Sequence, residues 1–386
     1  MERIYLDHAA TSPLHPDVLE AMMPYLTEVF GNASSIHRTG RRARQALDEA
    51  RAHIATELHV TPNTILFTSG GTEADNIALI GYAKANQHKG RHIITTQIEH
   101  HAVLHTCEQL EQEGFDVTYL PVDETGMISL DDFDQALRSD TILVSIMYGN
   151  NEVGTVQPIP ELGLKLKDHQ AALHTDAIQA AGSLDLSIHQ LHVDLLSVSA
   201  HKLNGPKGIG FLYVGEDITI TPPFYGGEQE RKRRAGTENI AGIIGLADSF
   251  VRASKEQIQK NEQYRTYKEL FSAILKQEEI DFSINGHPSK SLPHILNISF
   301  PRVNVESMLV NLDLAGIEAS SGSACTAGSI EPSHVLTAMF GEKNERAKTA
   351  IRYSFGIGNS EFEIETAARE TAKIVKRYQK QQPFIV

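Results

Sequence analysis

Cysteine is scarce in this chain, which has two among its 386 residues. Cys107 and Cys325 alone cannot build the disulfide framework of small extracellular domains, so the composition favours a reducing, cytosolic compartment. Long apolar runs are also missing. No run approaches the roughly 20 apolar residues of a membrane span, and the N-terminus has no apolar stretch of signal-peptide length. We therefore expect a cytoplasmic protein without a membrane segment.

Positive charge is in the minority. Lysine and arginine number 35 against 49 aspartates and glutamates, which gives a formal net charge of −14. An acidic surface repels nucleic acid and anionic membranes, and the one basic run, at residues 231–234, is too short to reverse this. We therefore expect no direct nucleic-acid binding and no membrane binding. The 41% of hydrophobic and 22% of charged residues are typical of a globular protein with a sizeable core.

Internal repeats and low-complexity segments are also missing from the sequence, and the pattern along the chain is mixed. Between about residue 60 and residue 215, short β-type runs alternate with helical patterns. This alternation is typical of an α/β protein with a parallel-type sheet covered by helices on both faces. The predicted strands are 64–68, 91–95, 117–120, 141–147, 172–174, 195–199 and 210–214, and the predicted helices between them are 73–89, 100–113, 130–137 and 159–168.

The pattern changes after this region. Two helices, at 16–30 and about 41–58, precede the sheet, and a long helix at about 239–277 follows it. The remaining predicted elements are a strand at 295–300, a helix at 305–315, a strand at 350–355 and a helix at 364–379. This change predicts a second, smaller α+β domain that starts near residue 255.

Cys325 stands out by its neighbours, which are small residues from Ser320 to Ser329 without apolar periodicity. A cysteine that packs in a core normally lies among bulky apolar residues. A thiol on exposed, mobile backbone is one that can react as a thiolate. The sequence therefore predicts a nucleophilic thiol on a flexible tether, whereas Cys107, within a predicted helix, is interpreted as a core residue.

Three polar motifs follow predicted strands, where open α/β sheets bind their ligands. Gly71 and Thr72 open a helix after one strand, either as a phosphate-binding turn or as an ordinary tight turn. Asp176 follows a second strand, either as a functional acid or as a helix N-cap. Lys202 follows a third strand, either as a Schiff-base lysine or as a surface lysine.

The stretch at residues 98–105 is rich in histidine. His101 and His105 have the i, i+4 spacing of metal ligands on a helix. No HExxH motif and no paired cysteines accompany them, so we predict no resident metal. A histidine that lies over a cofactor ring, or a histidine satisfied at the surface, is the favoured interpretation.

Taken together, these motifs resemble those of the cysteine desulfurases, in the class-V group of fold-type-I pyridoxal 5'-phosphate (PLP) enzymes. The resemblance runs from residues 5–11 to residues 351–356, and its most specific parts are Ser-Ala-His-Lys at 199–202 and Ser-Gly-Ser-Ala-Cys-Thr at 321–326. The second motif, with its long loop, resembles the subgroup that serves iron–sulfur cluster assembly and tRNA thiolation. The resemblance implies a large PLP-binding domain over 15–255. It also implies a smaller domain of residues 1–14 and 256–386 that carries the Cys325 loop.

The resemblance also implies roles for single residues. Lys202 would hold PLP covalently, and Asp176 would pair with the ring nitrogen and keep the ring an electron sink. His100 would stack on the ring, although a swapped assignment with His101 stays open. The other implied cofactor contacts are Gln179 at the ring hydroxyl, the phosphate contacts Gly71, Thr72, Ser199 and His201, and Thr237 from a partner subunit.

The implied reaction converts L-cysteine into L-alanine and leaves the sulfur on Cys325 as a persulfide. Asn151 and Arg352 would clamp the substrate carboxylate, because a guanidinium fork suits a planar anion. His100 is a candidate proton carrier for the substrate thiol. The contribution of Thr237 implies a homodimer.

The sulfur acceptor is left open by the sequence. An iron–sulfur scaffold protein and a tRNA-thiolating enzyme are both compatible with the motifs, and Cys325 could transiently share a cluster with a scaffold. Two other functions remain as alternatives. One is a class-V PLP aminotransferase or lyase, which needs no exposed cysteine. The other is a non-enzymatic sulfur carrier, which needs no PLP.

Overall fold

The computed structural model describes residues 3–322 and 332–381 of the chain. Its N-terminal part consists of a short strand and two helices that precede the main sheet. These elements are β1 (Ile4–Tyr5), α1 (Pro16–Thr27) and α2 (Arg38–Glu57). Both predicted N-terminal helices are therefore present, and the first ends three residues earlier than the sequence pattern suggested.

The largest sheet within the described residues has seven strands, and all seven predicted strands belong to it. Most of its strand residues are buried, as expected for strands that are covered on both faces, and aliphatic side chains are the largest group among them. In spatial order the strands are β2 (Ile65–Thr68), β8 (Gly210–Val214), β7 (Leu195–Ser199), β6 (Ala172–Asp176), β5 (Thr141–Ser145), β3 (His92–Thr96) and β4 (Asp116–Leu120).

The sheet is mostly parallel, as predicted, with one reversed strand. Strand β8 runs antiparallel to both of its neighbours, β2 and β7, whereas the remaining neighbours pair in parallel. The reversal has a simple cause. Residues 200–209 are too few to form the crossover of a dozen or more residues that a parallel connection requires.

Helices cover both faces of this sheet. The helices that alternate with its strands are α3 (Gly71–Asn76), α4 (Tyr82–Asn86), α5 (His101–Gln112), α6 (Leu130–Ala136), α7 (Ile159–Leu166) and α8 (Ile188–Leu191). A π-helical stretch, Ile77–Gly81, joins α3 to α4. Helices α3, α4 and α5 pack on one face, and α2, α7 and α8 pack on the other. Cys107 lies in the first of these cores and is fully buried, which confirms its interpretation as a core residue.

The C-terminal part forms a second sheet with its own core. Its elements are α9 (Ile240–Gln277), β9 (Ser283–Asn285), β10 (Ile295–Ser299), α10 (Val305–Leu314), β11 (Ile317–Glu318), α11 (His334–Phe340), β12 (Ala350–Ser354) and α12 (Glu361–Gln381). Strand β10 pairs antiparallel with β9 and β12, and β1 pairs in parallel with β11.

Helix α9 connects the two cores. Its N-terminal half buries Leu246 and Phe250 against the seven-stranded sheet, and its C-terminal half buries Tyr267 and Phe271 in the second core. The predicted domain boundary at residue 255 lies inside this continuous helix and stays a prediction. Among the described residues, no helix combines the length and the apolar character needed to cross a membrane.

A buried ion pair fixes an unusual segment to the large sheet. Arg51 of α2 bonds Glu230 through two nitrogens at 2.8 and 2.7 Å, and both side chains are almost fully buried. Glu230 also accepts a hydrogen bond from the backbone N–H of Phe67 in β2. Glu230, Arg231 and Lys232 all have positive φ angles, which are costly for residues other than glycine. The ion pair therefore holds a strained turn against the sheet.

We expect Arg51→Met to lower the free energy of unfolding by about 3–5 kcal/mol, because it leaves the Glu230 carboxylate buried without its cation. The matched control is Arg44→Met, which removes an exposed pair with Asp48 on the same helix and should cost less than about 1 kcal/mol. Urea unfolding measures both. An Arg51→Met effect no larger than that of the control would contradict this account.

Candidate active site

Four of the predicted site residues lie at or just beyond the ends of strands, at one edge of the large sheet. Asp176 is the last residue of β6, and Ser199 is the last residue of β7. Lys202 follows β7 in a single 3₁₀ turn, and Gly71 opens α3 after β2. Because β2, β6 and β7 all run in the same direction, their carboxyl ends meet at this edge. The edge is the position at which open α/β sheets bind ligands.

Asp176 is a buried acid with few partners. Its carboxylate accepts a hydrogen bond from the backbone N–H of Ile178 at 2.9 Å. Burial raises the pKa of Asp176 to about 6, and the Ile178 N–H and the Lys202 charge act in the opposite direction. The carboxyl group is therefore mainly ionised at neutral pH, with its remaining acceptor capacity free for a cationic or N–H group of a ligand.

Lys202 and Gln179 converge on the N-terminal segment. The Lys202 ammonium group donates to the backbone carbonyls of Ala9 and Ala10. Gln179 donates from its side-chain amide to the same Ala9 carbonyl at 2.8 Å and bonds His294 through its amide oxygen. The N-terminal segment thus lies across the strand ends, a placement that the sequence pattern did not indicate.

The two neighbouring histidines have different surroundings. His100 caps α5, with its Nδ1 accepting from the Ala102 N–H at 3.1 Å, and burial lowers its pKa to about 4, with a further contribution from the Lys202 charge. The His101 ring instead contacts those of His105 and His334, at centroid distances of 4.9 and 4.6 Å. His100 is therefore the one of the pair whose charge state is coupled to Lys202. Groups of histidine, cysteine and acid side chains suited to a metal are not found in the described part of the chain.

Buried acids next to the site were missed by the sequence reading. Glu99 is fully buried beside His100 and accepts from the Met147 N–H and the Thr96 hydroxyl, and burial raises its pKa to about 8. Asp75 is fully buried in α3, and burial together with the Asp176 charge raises its pKa well above the usual value. The only local signal for such acids would be an acid that interrupts an apolar pattern. Their burial depends instead on helices that pack from distant parts of the chain.

The turn after β2 forms a cradle of backbone atoms. Gly70 has a φ of +151°, and a Cβ atom on Gly71 would lie 2.1 Å from Ile178. Gly210 of β8 packs closely against this turn. A Cβ atom on Gly210 would lie 2.5 Å from the Val198 carbonyl oxygen and 3.0 Å from Gly70. Glycine at these positions lets the turn pack closely on Ile178 and β7, which places the first N–H groups of α3 at the sheet edge where the phosphate site is predicted.

The predicted phosphate contacts lie in and around this cradle. Thr72 is exposed in the first turn of α3, and Ser199 is buried at the end of β7, below Gly70. His201 bonds the Thr11 hydroxyl at 3.1 Å, and burial lowers its pKa to about 4, so that it is uncharged at neutral pH. Thr237 is exposed on the segment that follows Glu230.

Arg352 and Asn151, the two predicted carboxylate ligands, lie in contact with each other through a backbone atom of Asn151. The Arg352 guanidinium group donates to the Asn151 carbonyl at 2.9 Å and forms an ion pair with Asp7, also at 2.9 Å. The Arg352 Nε is buried, and no described residue accepts a hydrogen bond from it. An unpartnered buried N–H of a guanidinium group is a donor for an incoming carboxylate.

The predicted nucleophile, Cys325, lies outside the described residues. The chain on either side of that gap packs on one acid: Ser333 donates to the Glu152 carboxylate, and a Cβ on Gly322 would lie 1.8 Å from it. Glu152 follows Asn151 directly in the sequence.

The described residues fit PLP. The cradle of Gly70 and Gly71 suits a phosphate, Lys202 supplies a primary amine, and the buried acid Asp176 has spare acceptor capacity for a protonated ring nitrogen. These groups occupy one edge of the sheet, and the orphan Nε–H of Arg352 supplies a site for a carboxylate.

Comparison with known proteins points to one family. The class-V aminotransferase model matches residues 4–366. IscS 1 of Bacillus subtilis (strain 168) is 59% identical, over 98% of this chain and 100% of its own length. The cysteine desulfurase IscS of Methanosarcina thermophila is 46% identical, over 99% of this chain and 94% of its own length.

Solved structures agree with the sequence relatives. The structure of a NifS-like protein has a TM-score of 0.91 and 35% identity, and the match covers 97% of this chain and 100% of that one. SspA in complex with cysteine has a TM-score of 0.80 and 37% identity, with 91% of this chain and 98% of that one covered.

We predict that Gly210→Ala perturbs the cradle. The added Cβ meets rigid backbone of β7 and of the turn at Gly70, so we expect a loss of about 1–3 kcal/mol in stability and weaker binding of PLP. Gly215→Ala, just beyond the other end of β8, is the control, since its Cβ would meet its nearest atom at 3.2 Å. Thermal unfolding and fluorescence titration with PLP measure the two effects. Equal behaviour of the two variants would show that Gly210 does not support the cradle.

Proposed function

Because this chain belongs to the class-V aminotransferase family and is a PLP-dependent cysteine desulfurase, we propose that Lys202 holds the cofactor and that Cys325 receives the sulfur. The observation that carries the proposal is the convergence of Lys202, Asp176 and Arg352 with the N-terminal segment at one sheet edge. Asp176 and Arg352 have the charges that their proposed tasks need.

Binding of the substrate is assigned to Arg352 and Asn151. The buried Nε–H of Arg352 donates to the α-carboxylate of L-cysteine, and the Asn151 carbonyl holds the guanidinium group in place. PLP, when bound, supplies an electron sink for negative charge at the substrate α-carbon. Asp176 would hold its carboxylate against the cofactor ring nitrogen, and Gln179 and His100 would lie beside the ring. His100, uncharged at neutral pH, is the proposed carrier of the substrate thiol proton.

Transfer of sulfur is assigned to Cys325. Its thiolate attacks the sulfur of L-cysteine, an S–S bond forms, and the carbon–sulfur bond breaks. The electron pair of the broken bond stays with the carbon fragment, which takes up a proton and leaves as L-alanine. Cys325 keeps the sulfur as a persulfide, so the overall step needs no external oxidant or reductant.

The persulfide then passes to a thiol of a partner protein. The motif at 321–326 supports an iron–sulfur scaffold protein or a tRNA-thiolating enzyme as the acceptor. On a scaffold, Cys325 could also act as a transient cluster ligand. A chain with two cysteines and a reactive thiol is suited to the reducing cytoplasm.

A homodimer is proposed from the surface near Thr237. Ile36 and Tyr225 are each 91% exposed, and Phe30 is 81% exposed. Exposing several large apolar side chains in one region of the surface is unfavourable in water and is typical of an interaction site. A cavity lined by Ser34 and Arg231, among others, connects the region of Ile36 to the segment that precedes Thr237. We propose that this surface is buried against a second copy and that Thr237 then contacts the phosphate site of the partner.

Complementation tests the shared site. Lys202→Ala removes the covalent cofactor link, and Thr237→Ala removes one hydroxyl donor to the phosphate, so each variant alone should be poorly active at limiting PLP. If Thr237 serves the partner's site, mixed dimers contain one intact site and recover activity after the variants are co-expressed. Absence of recovery in purified mixed dimers would show that Thr237 acts within its own chain. Arg234, three residues earlier, already pairs with Glu73 of the same chain.

Two cysteine variants test the function itself. Cys325→Ser should bind PLP and L-cysteine like the parent but lose alanine release by at least about 10²-fold, because a serine hydroxyl is a poor nucleophile toward sulfur. Cys107→Ser should behave like the parent, since burial raises the pKa of Cys107 and keeps it protonated. An alanine assay measures turnover, and mass spectrometry of the two cysteine-containing peptides shows which cysteine carries the sulfur. Near-normal alanine release from Cys325→Ser would favour an aminotransferase or lyase reaction.

A further inference from the structure

The ion pair between Arg352 and Asp7 lies where the substrate carboxylate has to bind. The Arg352 side chain is 5% exposed and that of Asp7 is 22% exposed, so the acid is the more accessible partner of the pair. One terminal nitrogen of Arg352 donates to Asp7, the other donates to the Asn151 carbonyl, and Nε has no acceptor among the described residues. An incoming carboxylate therefore meets a guanidinium group whose charge is already balanced by an acid.

Asp7 is held in place by its own backbone. Its carbonyl accepts from the Ala10 N–H at 3.0 Å and from the Tyr5 hydroxyl at 3.1 Å. The chain before and after Asp7 is fixed to β12. The Leu6 carbonyl accepts from the Ser354 N–H, and the Ala9 N–H donates to the Ser354 hydroxyl. These bonds fix the backbone of Asp7, so its carboxylate stays within side-chain reach of Arg352 when a second anion binds.

We propose that Asp7 sets the affinity of the site for carboxylates, a role that rests on the proposed assignment of Arg352 as the carboxylate clamp. By pairing with Arg352, Asp7 makes the clamp electrically neutral before the substrate arrives. The α-carboxylate of L-cysteine then gains hydrogen bonds from the guanidinium group but is repelled by Asp7. The clamp thus holds carboxylates weakly, which limits inhibition by L-alanine and by unrelated cellular anions.

Electrostatic repulsion determines whether loss of Asp7 strengthens or weakens carboxylate binding. Two like charges a few ångströms apart at a partly buried site repel each other strongly enough to change affinity by an order of magnitude or more. Asp7→Asn removes the charge but keeps an oxygen that can accept from Arg352, so the guanidinium group stays oriented. If Asp7 only oriented Arg352, its substitution would weaken carboxylate binding. Because the Asp7 charge repels the carboxylate, Asp7→Asn should strengthen that binding.

The test uses 3-mercaptopropionate, which carries the thiol and carboxylate of the substrate but no amine that could react with the cofactor. Calorimetric titration of the holoenzyme should show about tenfold tighter binding to Asp7→Asn than to the parent, about 1.4 kcal/mol. The Michaelis constant for L-cysteine and the inhibition constant of L-alanine should fall in the same variant. Glu318→Gln is the matched control, because Glu318 is an acid of the neighbouring strand β11 that pairs with Arg3 instead.

Arg352→Gln separates the two levels of the proposal. If that variant loses binding while Asp7→Asn binds as the parent does, or more weakly, the role proposed for Asp7 is wrong and the clamp assignment stands. If Arg352→Gln binds 3-mercaptopropionate as tightly as the parent, the carboxylate site lies elsewhere and the assignment of Arg352 is wrong. A gain of affinity in Glu318→Gln equal to that in Asp7→Asn would also overturn the proposal, because the effect would then reflect net charge alone.

Discussion

The candidate active site depends on the N-terminal segment at residues 7–12, which crosses the strand ends and bonds to their polar groups. The Ala9 carbonyl alone accepts from both Lys202 and Gln179, although these two residues come from different strand ends. Asp7 adds the ion pair to Arg352 from the second sheet. Each of these contacts joins residues more than 150 positions apart, so the site exists only when both parts of the chain are folded and the first residues are in place.

Charge balance is the second feature of the arrangement. The deeply buried cations of the described residues are matched: Arg352 by Asp7 and Arg51 by Glu230. The buried imidazoles of His100 and His201 stay uncharged because burial lowers their pKa to about 4. Asp176 differs, since it combines burial with a carboxyl group that ionises near neutral pH. Its charge is then available for a ligand, which is the property expected of a functional acid.

Much of the fold could be predicted from the sequence, because hydrophobic residues recur with different periods in strands and in helices. The seven strands of the large sheet and the long helix α9 were predicted near their observed positions. The reversal of β8 was not predicted, although the short connection at residues 200–209 carries a signal for it. The motifs indicated Lys202, Asp176 and Arg352 as single residues, but pairing with Asp7 depends on tertiary contacts that no local pattern encodes. The strained turn at Glu230 likewise has no sequence signal, because its stability comes from Arg51.

Sulfur transfer from L-cysteine to Cys325 is the reaction that we propose for this site. Its most direct test is a single-turnover reaction of the wild-type holoenzyme with isotopically labelled cysteine, without acceptor or reductant, quenched at short times. The account predicts alanine and a persulfide on the peptide of residue 325 in equimolar amounts, rising together and stopping when Cys325 is fully loaded. Alanine that continues to accumulate while residue 325 stays unmodified, or label that first appears on Cys107, would contradict it.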